Sequence, residues 1–287
     1  MRARVFVTGG SGALGQALQA VLNEQALFFE TFAAKRSELV NRFGVYDEHL
    51  VIRKLKSFAP DYVIHLASTF SNNLEESYTV NVKNARVLCI ASESLKQLSK
   101  IILIGSAAEY GYIRPEENPV TEAQPLKPTS VYGLTKAWQT HLGIMHASRG
   151  LPVVVGRVFN LIGPHVSDEL FAGRLQRQIN EFKHGRREVF VFGNLEATRD
   201  YLSTRQAAEK LLILARSGKS GEAYNIASGH PVQLRELLHQ ELQKHGIQNP
   251  EIRYDPSLSS VGGHGSTTVY ADISKIQKLT NAESFKD

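Results

Sequence analysis

Three side chains in the middle of the chain have the right types and spacing for proton transfer to a carbonyl oxygen. TyrGlyLeuThrLys at 132–136 lies near the start of a helical stretch, so Tyr132 and Lys136 project from one face a turn apart. A phenol of ordinary pKa, about 10, is a poor acid–base catalyst near neutrality. A neighbouring ammonium and the positive ring of an oxidised nicotinamide both stabilise the phenolate and bring it towards the working range. Ser106 closes the preceding apolar strand, where its hydroxyl is placed to hold a substrate oxygen against Tyr132.

A second constellation lies at the amino end. ThrGlyGlySerGlyAlaLeuGly at 8–15 contains Gly10-x-Gly12-x-x-Gly15 and the overlapping Gly9-x-x-Gly12-x-x-Gly15. It follows a strand and opens a helix. Glycines in that context allow a tight turn, close approach of a pyrophosphate and close helix–strand packing, while the helix N-terminus offers unpaired amides to the phosphate. At the end of the second strand an acidic residue would bind ribose hydroxyls. The chain offers Lys35 and Arg36 instead, which suit a 2′-phosphate and favour NADP(H) over NAD(H). The alternative is that both are solvated loop charges.

The elements that must position these groups alternate. Strands are expected at 4–8, 27–32, 62–67, 101–106 and 152–158, and helices at 13–22, 48–58, 78–98 and 131–147. The strands are continuously apolar, which implies a parallel sheet covered on both faces: an α/β, Rossmann-type doubly wound sheet whose ligands bind beyond the carboxyl ends of the strands. After Asn160 the rhythm loosens. Helices are expected near 168–184, 203–216 and 232–245, strands at 188–192 and 223–227, and a mobile glycine-rich loop at 257–268. This reads as a smaller α/β substrate-binding domain from about 160–193 and 228–287, beside a dinucleotide-binding domain from 1–159 and about 194–227.

Composition bounds the rest. Of 287 residues 42% are hydrophobic and 21% charged, enough for a full core without disulfides or metal. The excess of 33 Lys+Arg over 28 Asp+Glu gives +5, spread without runs, so anionic small molecules are expected rather than nucleic acid. One cysteine, Cys89, sits in an apolar run and reads as a buried hydrophobe in a reducing cytoplasm. No signal peptide or membrane-length apolar stretch is apparent. Ten histidines include no metal-ligand spacing; His141 and His146 are five apart, His165 follows GlyPro, and His264 lies in the glycine loop.

Beyond these motifs come ProAspTyrValIleHisLeuAla at 60–67, ThrValAsn at 79–81, GlySerAlaAlaGluTyrGly at 105–111, GlyArgValPheAsnLeuIleGlyPro at 156–164, AlaTyrAsnIleAlaSerGly at 223–229 and AspIleSerLys at 272–275. With them, nearly the whole chain resembles the extended short-chain dehydrogenase/reductases, the nucleotide-sugar epimerase/dehydratase superfamily. Within it, ProGluGluAsnProValThrGlu at 115–122 and GlyAsnLeuGluAlaThrArgAsp at 193–200 are most similar to the GDP-4-keto-6-deoxymannose reductases. That resemblance implies NADPH-dependent reduction of the C-4 ketone of a nucleotide-linked hexose, with Ser106, Tyr132 and Lys136 catalytic. It implies a cofactor lined by Gly9, Gly12, Ala13, Leu14, Gly15, Leu66, Ala67, Asn81, Tyr132, Lys136 and Val158, with Lys35 and Arg36 at the ribose. For the substrate it implies Ala107, Glu109 (an auxiliary acid or a sugar-hydroxyl partner, otherwise a surface carboxylate), Asn160 (otherwise a structural turn residue) and Arg199 on the diphosphate (otherwise paired with Asp200). It further implies a homodimer through the helices near Tyr78 and Val131, with Trp138 in packing or at the subunit contact. Two alternatives stay open: an epimerase or dehydratase that keeps NAD tightly bound, and a non-catalytic dinucleotide-binding subunit.

Overall fold

Val5, Phe6 and Val7 have no exposed surface, because the first strand, β1 (Ala3–Thr8), is covered on both faces. The tertiary structure is a computed structural model describing residues 2–26, 28–41, 44–258 and 267–283. Helix α1 (Ala13–Glu24) follows the glycine turn and buries Leu18, Val21 and Leu22 on the sheet. Strand β2 (Phe29–Ala34) lies two residues later than the periodicity suggests, since its register is set by pairing: Ala3 faces Phe29 and Thr8 faces Ala34. Leu27 lies outside the described residues.

Helix α2 (Glu48–Phe58) starts where Asp47 accepts a hydrogen bond from the Leu50 amide and stops at Ala59, in the left-handed conformation, ahead of Pro60. After β3 (Tyr62–His65) the expected helix 78–98 is displaced. It comprises α3 (Leu74–Tyr78), a π turn at Thr79–Lys83 and α4 (Asn84–Ser92). Asn73 caps the early start by accepting from the Glu76 amide. Ser92 and Ser94 turn their hydroxyls onto the Leu88 and Ala91 carbonyls at the early end, and the chain then returns to the sheet through Ser99, whose amide donates to the Asp61 carbonyl. Strand β4 (Lys100–Ser106), helix α5 (Val131–Ser148, capped by Ser130 accepting from Gly133) and β5 (Val153–Val158) complete the half that carries the motifs.

The remaining elements are β6 (Asn160–Ile162), α6 (Phe171–Lys183), β7 (Val189–Phe192), β8 (Thr198–Ser203), α7 (Thr204–Ser217), β9 (Ala223–Ile226), β10 (Pro231–Gln233), α8 (Leu234–Lys244), β11 (Glu251–Tyr254), β12 (Thr268–Val269) and α9 (Ser274–Glu283). The main sheet is parallel throughout in the order β2-β1-β3-β4-β5-β9. The fold class is therefore the expected α/β doubly wound sheet. Its order reverses between β1 and β3, and a crevice opens at such a point outside the strand ends. One apolar cluster packs α1, α7 and α9 on one face; a second, including Leu55, Leu88, Cys89 and Val155, packs α2, α4 and α5 on the other.

The later strands form a smaller sheet, β10-β8-β12, in which β6 also pairs with β8. A separate cluster of Leu175, Ile179, Phe190, Phe192, Leu238 and Leu242 joins α6 and α8 to the parallel pair β7 and β11. Of the expected loop 257–268, residues 259–266 with His264 lie outside the described residues. No helix of the described residues is long and apolar enough to cross a membrane.

Candidate active site

Because the main sheet is parallel, Thr8 of β1, His65 of β3, Ser106 of β4 and Val158 of β5 all finish at one edge. The glycine turn leaves β1 there. Gly9 has φ +75, and a Cβ on it would come within 2.5 Å of the Ala67 amide, so the loop after β3 presses directly on it. A Cβ on Gly15 would overlap the Gly9 carbonyl oxygen, which is why α1 starts so close to the strand. At Gly12 a Cβ would meet nothing nearer than 3.6 Å; this glycine keeps open the face a ligand would occupy. Gly12 is also the N-cap of α1 and supplies no side-chain cap, so the amides of Ala13 and Leu14 point outward without a side-chain acceptor. A turn closed to side chains at Gly9 and Gly15, open at Gly12 and ending on uncapped helix amides fits the pyrophosphate of a dinucleotide.

Lys35 and Arg36 leave the tip of β2 immediately beyond Ala34, the partner of Thr8, and both are exposed. The carboxylate near them is already engaged: Glu38 accepts from Lys54 Nζ at 2.8 Å and from the Lys35 amide at 2.9 Å, and those bonds hold its pKa down. The tip of β2 thus presents cations to an anionic ribose substituent. Leu66 and Ala67 line the other side of the turn, with the Leu66 amide donating to the Thr8 carbonyl. Asn81 is fully buried. Its amide nitrogen donates to Thr135 Oγ1 and the Thr69 carbonyl, and its oxygen accepts from the Thr69 amide, so it fastens the loop after β3 to α5. Val158, nearly buried, lies between Ser106 and Ile226 in register.

Tyr132, half-buried in the first turn of α5, lies close to the Ser106 and Ser68 side chains. Burial pushes its phenol up to about 12; the two serines pull the other way. Phe70 packs against it in a tilted arrangement, with ring centroids 4.6 Å apart. Lys136 is 1% exposed, and desolvation brings its ammonium down to about 8. The structure brings Ser106, Tyr132 and Lys136 to the same strand end.

Glu109 departs from expectation. It has no exposed surface and is neither a surface carboxylate nor open to a substrate. One oxygen accepts from the Ser106 amide at 2.7 Å; the other accepts from Thr140 Oγ1 at 2.8 Å and Arg157 Nε at 3.1 Å. Gly105 makes the space, since a Cβ there would collide with this carboxylate. Burial raises the pKa of Glu109 while Arg157 opposes it. Arg157 in turn reaches Tyr110 Oη and the Glu122 carbonyl, and Tyr110 donates to Asn225 at 2.6 Å. A polar layer therefore lies directly beneath Ser106, Tyr132 and Lys136. The clue in the sequence is a guanidinium inside an otherwise apolar parallel strand, GlyArgVal at 156–158, which must find a buried partner. Ser68 and Phe70 carry no such clue: they become neighbours of Tyr132 only through the path of the loop.

On the opposite side of the crevice, Asn160 donates to the Asp200 carbonyl at 3.0 Å, which orients its amide in the β6–β8 pairing. Arg199 is partly buried and donates to the Thr198 and Thr267 carbonyls. It does not pair with Asp200, because successive side chains of a strand face opposite ways. Asp200, fully buried, accepts instead from the Ser228 amide and hydroxyl and from the Gly229 and Ala271 amides. Ala107 is partly buried beside Tyr110, Phe159 and Val269. His141 and His146 bond Ala137 and Glu93 on α5 and behind it, and His165 has φ +63.

Comparison with known proteins gives a consistent picture. The sequence profile of the NAD dependent epimerase/dehydratase family matches residues 5–227. A GDP-6-deoxy-D-mannose reductase from Pseudomonas aeruginosa is 28% identical over 251 residues, 83% of this chain and 79% of the relative. A probable dTDP-glucose 4,6-dehydratase from Sinorhizobium fredii is 26% identical over 253 residues, 78% of this chain and 71% of the relative. Among solved structures, that of RMD from Pseudomonas aeruginosa complexed with NADPH superposes with a TM-score of 0.82 at 25% identity, covering 98% of this chain and 92% of the other.

Proposed function

Because the chain belongs to the NAD dependent epimerase/dehydratase family of extended short-chain dehydrogenase/reductases, NAD(P)-dependent enzymes, we propose that it reduces the C-4 ketone of a nucleotide-linked 4-keto-6-deoxyhexose with NADPH as reductant. The observation that carries this reading is the tip of β2, where the Lys35 and Arg36 side chains are exposed and the Glu38 carboxylate beside them is engaged by Lys54 Nζ and the Lys35 amide. Two cations there attract a 2′-phosphate. An epimerase or dehydratase recycles its dinucleotide, whereas a reductase consumes it. The nucleotide-sugar reductase from Pseudomonas aeruginosa and the NADPH complex from the same organism support the same reading.

A second observation weighs against dehydration, which needs an acid–base group beyond the phenol to remove water from the sugar. The residues after Ser106 are Ala107 and Ala108, and Glu109 is sealed below them with both oxygens engaged. The phenol and its amine are the proton donors the site offers among these residues. Gly9, Gly12, Gly15, Ala13 and Leu14 hold the pyrophosphate, Leu66, Ala67 and Val158 flank the rings, and the bound dinucleotide supplies hydride to the ketone carbon. Ser106 holds the ketone oxygen, and Tyr132 Oη delivers the proton to it while the Lys136 ammonium stabilises the phenolate left behind. Asn160 and Arg199 face the sugar and its diphosphate across the crevice.

The enzyme acts in the reducing cytoplasm, where its buried Cys89 stays a thiol. It works as a pair of identical chains joined through α3 and α5. On those helices Leu74, Trp138, Ile144 and Met145 leave 47%, 41%, 37% and 37% of their surfaces exposed, and Trp138 packs edge-on against Tyr78. The test is to purify the protein, release any retained nicotinamide, and follow NADPH oxidation with GDP-, dTDP-, UDP- and CDP-linked 4-keto-6-deoxy sugars. Stoichiometric NADPH consumption with one of them is expected. Tightly held NAD with no net NADPH consumption would overturn the assignment.

A further inference from the structure

Gln139 lies three residues beyond Lys136 on α5 and is 1% exposed, a poor place for an amide unless both of its ends are satisfied. Both are. Its nitrogen donates to the Ile104 carbonyl of β4 at 3.3 Å, which fixes which end faces which way, and its oxygen accepts from Lys136 Nζ at 2.7 Å. Thr140, next along the helix, binds Glu109. Lys136, Gln139 and Thr140 therefore form one buried face of α5 turned towards β4 and β5.

We propose that Gln139 is the positioning residue for Lys136: its side-chain oxygen holds the ammonium at the strand end, with its remaining N–H donors free to face Tyr132 and the dinucleotide ribose. An ammonium on four flexible methylenes does not hold a position unaided. Here one acceptor anchored to the sheet fixes it from behind, and a charge-assisted bond to a neutral amide keeps the proton on a group that burial would otherwise strip. The charged and titratable groups close to Lys136 are Glu109 from the turn after β4 and His65 from β3, with Arg157 of β5 behind Glu109 and Tyr132 one turn earlier on its own helix. Glu109 favours the ammonium; burial does not. Burial holds His65 neutral, with its pKa near 3. Glu109 is spoken for by Arg157 and Thr140, which leaves Gln139 as the acceptor in contact with the amine.

This inference rests on the reductase reading only for its consequence, so its test uses the protein without dinucleotide. With 13Cε-labelled lysine, the Lys136 resonance is assigned by its loss in Lys136→Met and titrated by NMR in wild type, Gln139→Met and Gln139→Glu. The near-isosteric Met removes the acceptor, and the midpoint should fall by about one pH unit or more. Glu places an anion against the ammonium, and the midpoint should rise by a similar amount. The alkaline limb of kcat/KM for the reductase should move the same way in each variant. Should Gln139→Met fail to fold, the wild type and Gln139→Glu pair still reads the direction. Midpoints within a few tenths of wild type in the folded variants overturn the role of Gln139. A normal pair of shifts with no NADPH oxidation by the wild type leaves Gln139 in place and overturns the reductase reading instead.

Discussion

The two sides of the crevice are built on different principles. On the dinucleotide side the functional groups sit at strand ends, in the turns just beyond them or on the first turns of α5, and one parallel register brings Thr8, His65, Ser106 and Val158 to a common edge. A few consecutive residues specify each piece. On the other side the small sheet is assembled from β6, β8, β10 and β12, segments far apart in sequence, and a single buried carboxylate, Asp200, accepts from three amides and one hydroxyl of the loop after β9 and the strand before α9. On the proposed function, chemistry is thus encoded locally, while the side that would face the substrate depends on long-range contacts.

If that division is right, Tyr132→Phe should give the largest effect and confine it to chemistry. Turnover should fall by roughly a hundredfold to ten-thousandfold, with NADPH affinity from fluorescence titration nearly unchanged. Unaltered turnover would remove Tyr132 from its role. Asp200→Ala should do the reverse: four donors lose one acceptor, unfolding free energy from urea denaturation drops by about 3 kcal/mol or more, and KM for the sugar nucleotide rises more than kcat falls. A loss of NADPH affinity as large as the loss for the sugar would show that the two sides are not independent.

Lys35→Glu acts at the edge of the dinucleotide side. NADPH should bind roughly tenfold more weakly while NADH changes little, because a carboxylate repels only the 2′-phosphate. Equal weakening of both would place Lys35 among solvated loop charges. The smallest effect is a pH dependence. With the Lys136 ammonium held near 8, kcat/KM should be about half its plateau there and decline at higher pH. Stability should not follow. Between about 8 and the ordinary lysine value of 10.5, folded Lys136 binds fewer protons than the unfolded chain, so this residue adds stability as pH rises through that window. Thermal midpoints dropping in parallel with activity would contradict it.

Much of this was legible before any coordinates. The glycine turn, the Tyr132–Lys136 pair and Ser106 are short-range patterns whose steric and chemical demands are met within a few residues, and the apolar runs placed the seven expected strands within two residues, while β6, β8, β10, β11 and β12 gave no such run. Glu109 was not legible. As one charged residue in a turn, it looks the same in sequence whether it faces solvent, substrate or core. Only the packing of α5 on β4, with Arg157 opposite and Gly105 giving room, buried it. The helix after β3 was misplaced for a similar reason, since its apolar pattern runs past the point where Ser92 and the return to the sheet end it.

The linear order of residues pointed to the groups that meet here in general form: a phenol, an amine and a hydroxyl suited to a carbonyl, glycines to a pyrophosphate, cations to a phosphate. Those follow from bond geometry, charge and the period of helix and strand, which act over a handful of positions. Which carboxylate is sealed away, what holds the catalytic amine, which aromatic ring lies on Tyr132 and how Asp200 ties distant segments together were decided only by the folded chain. The longest of these contacts joins residues 71 positions apart, Asp200 and Ala271, and no local rule of periodicity or propensity reaches that far.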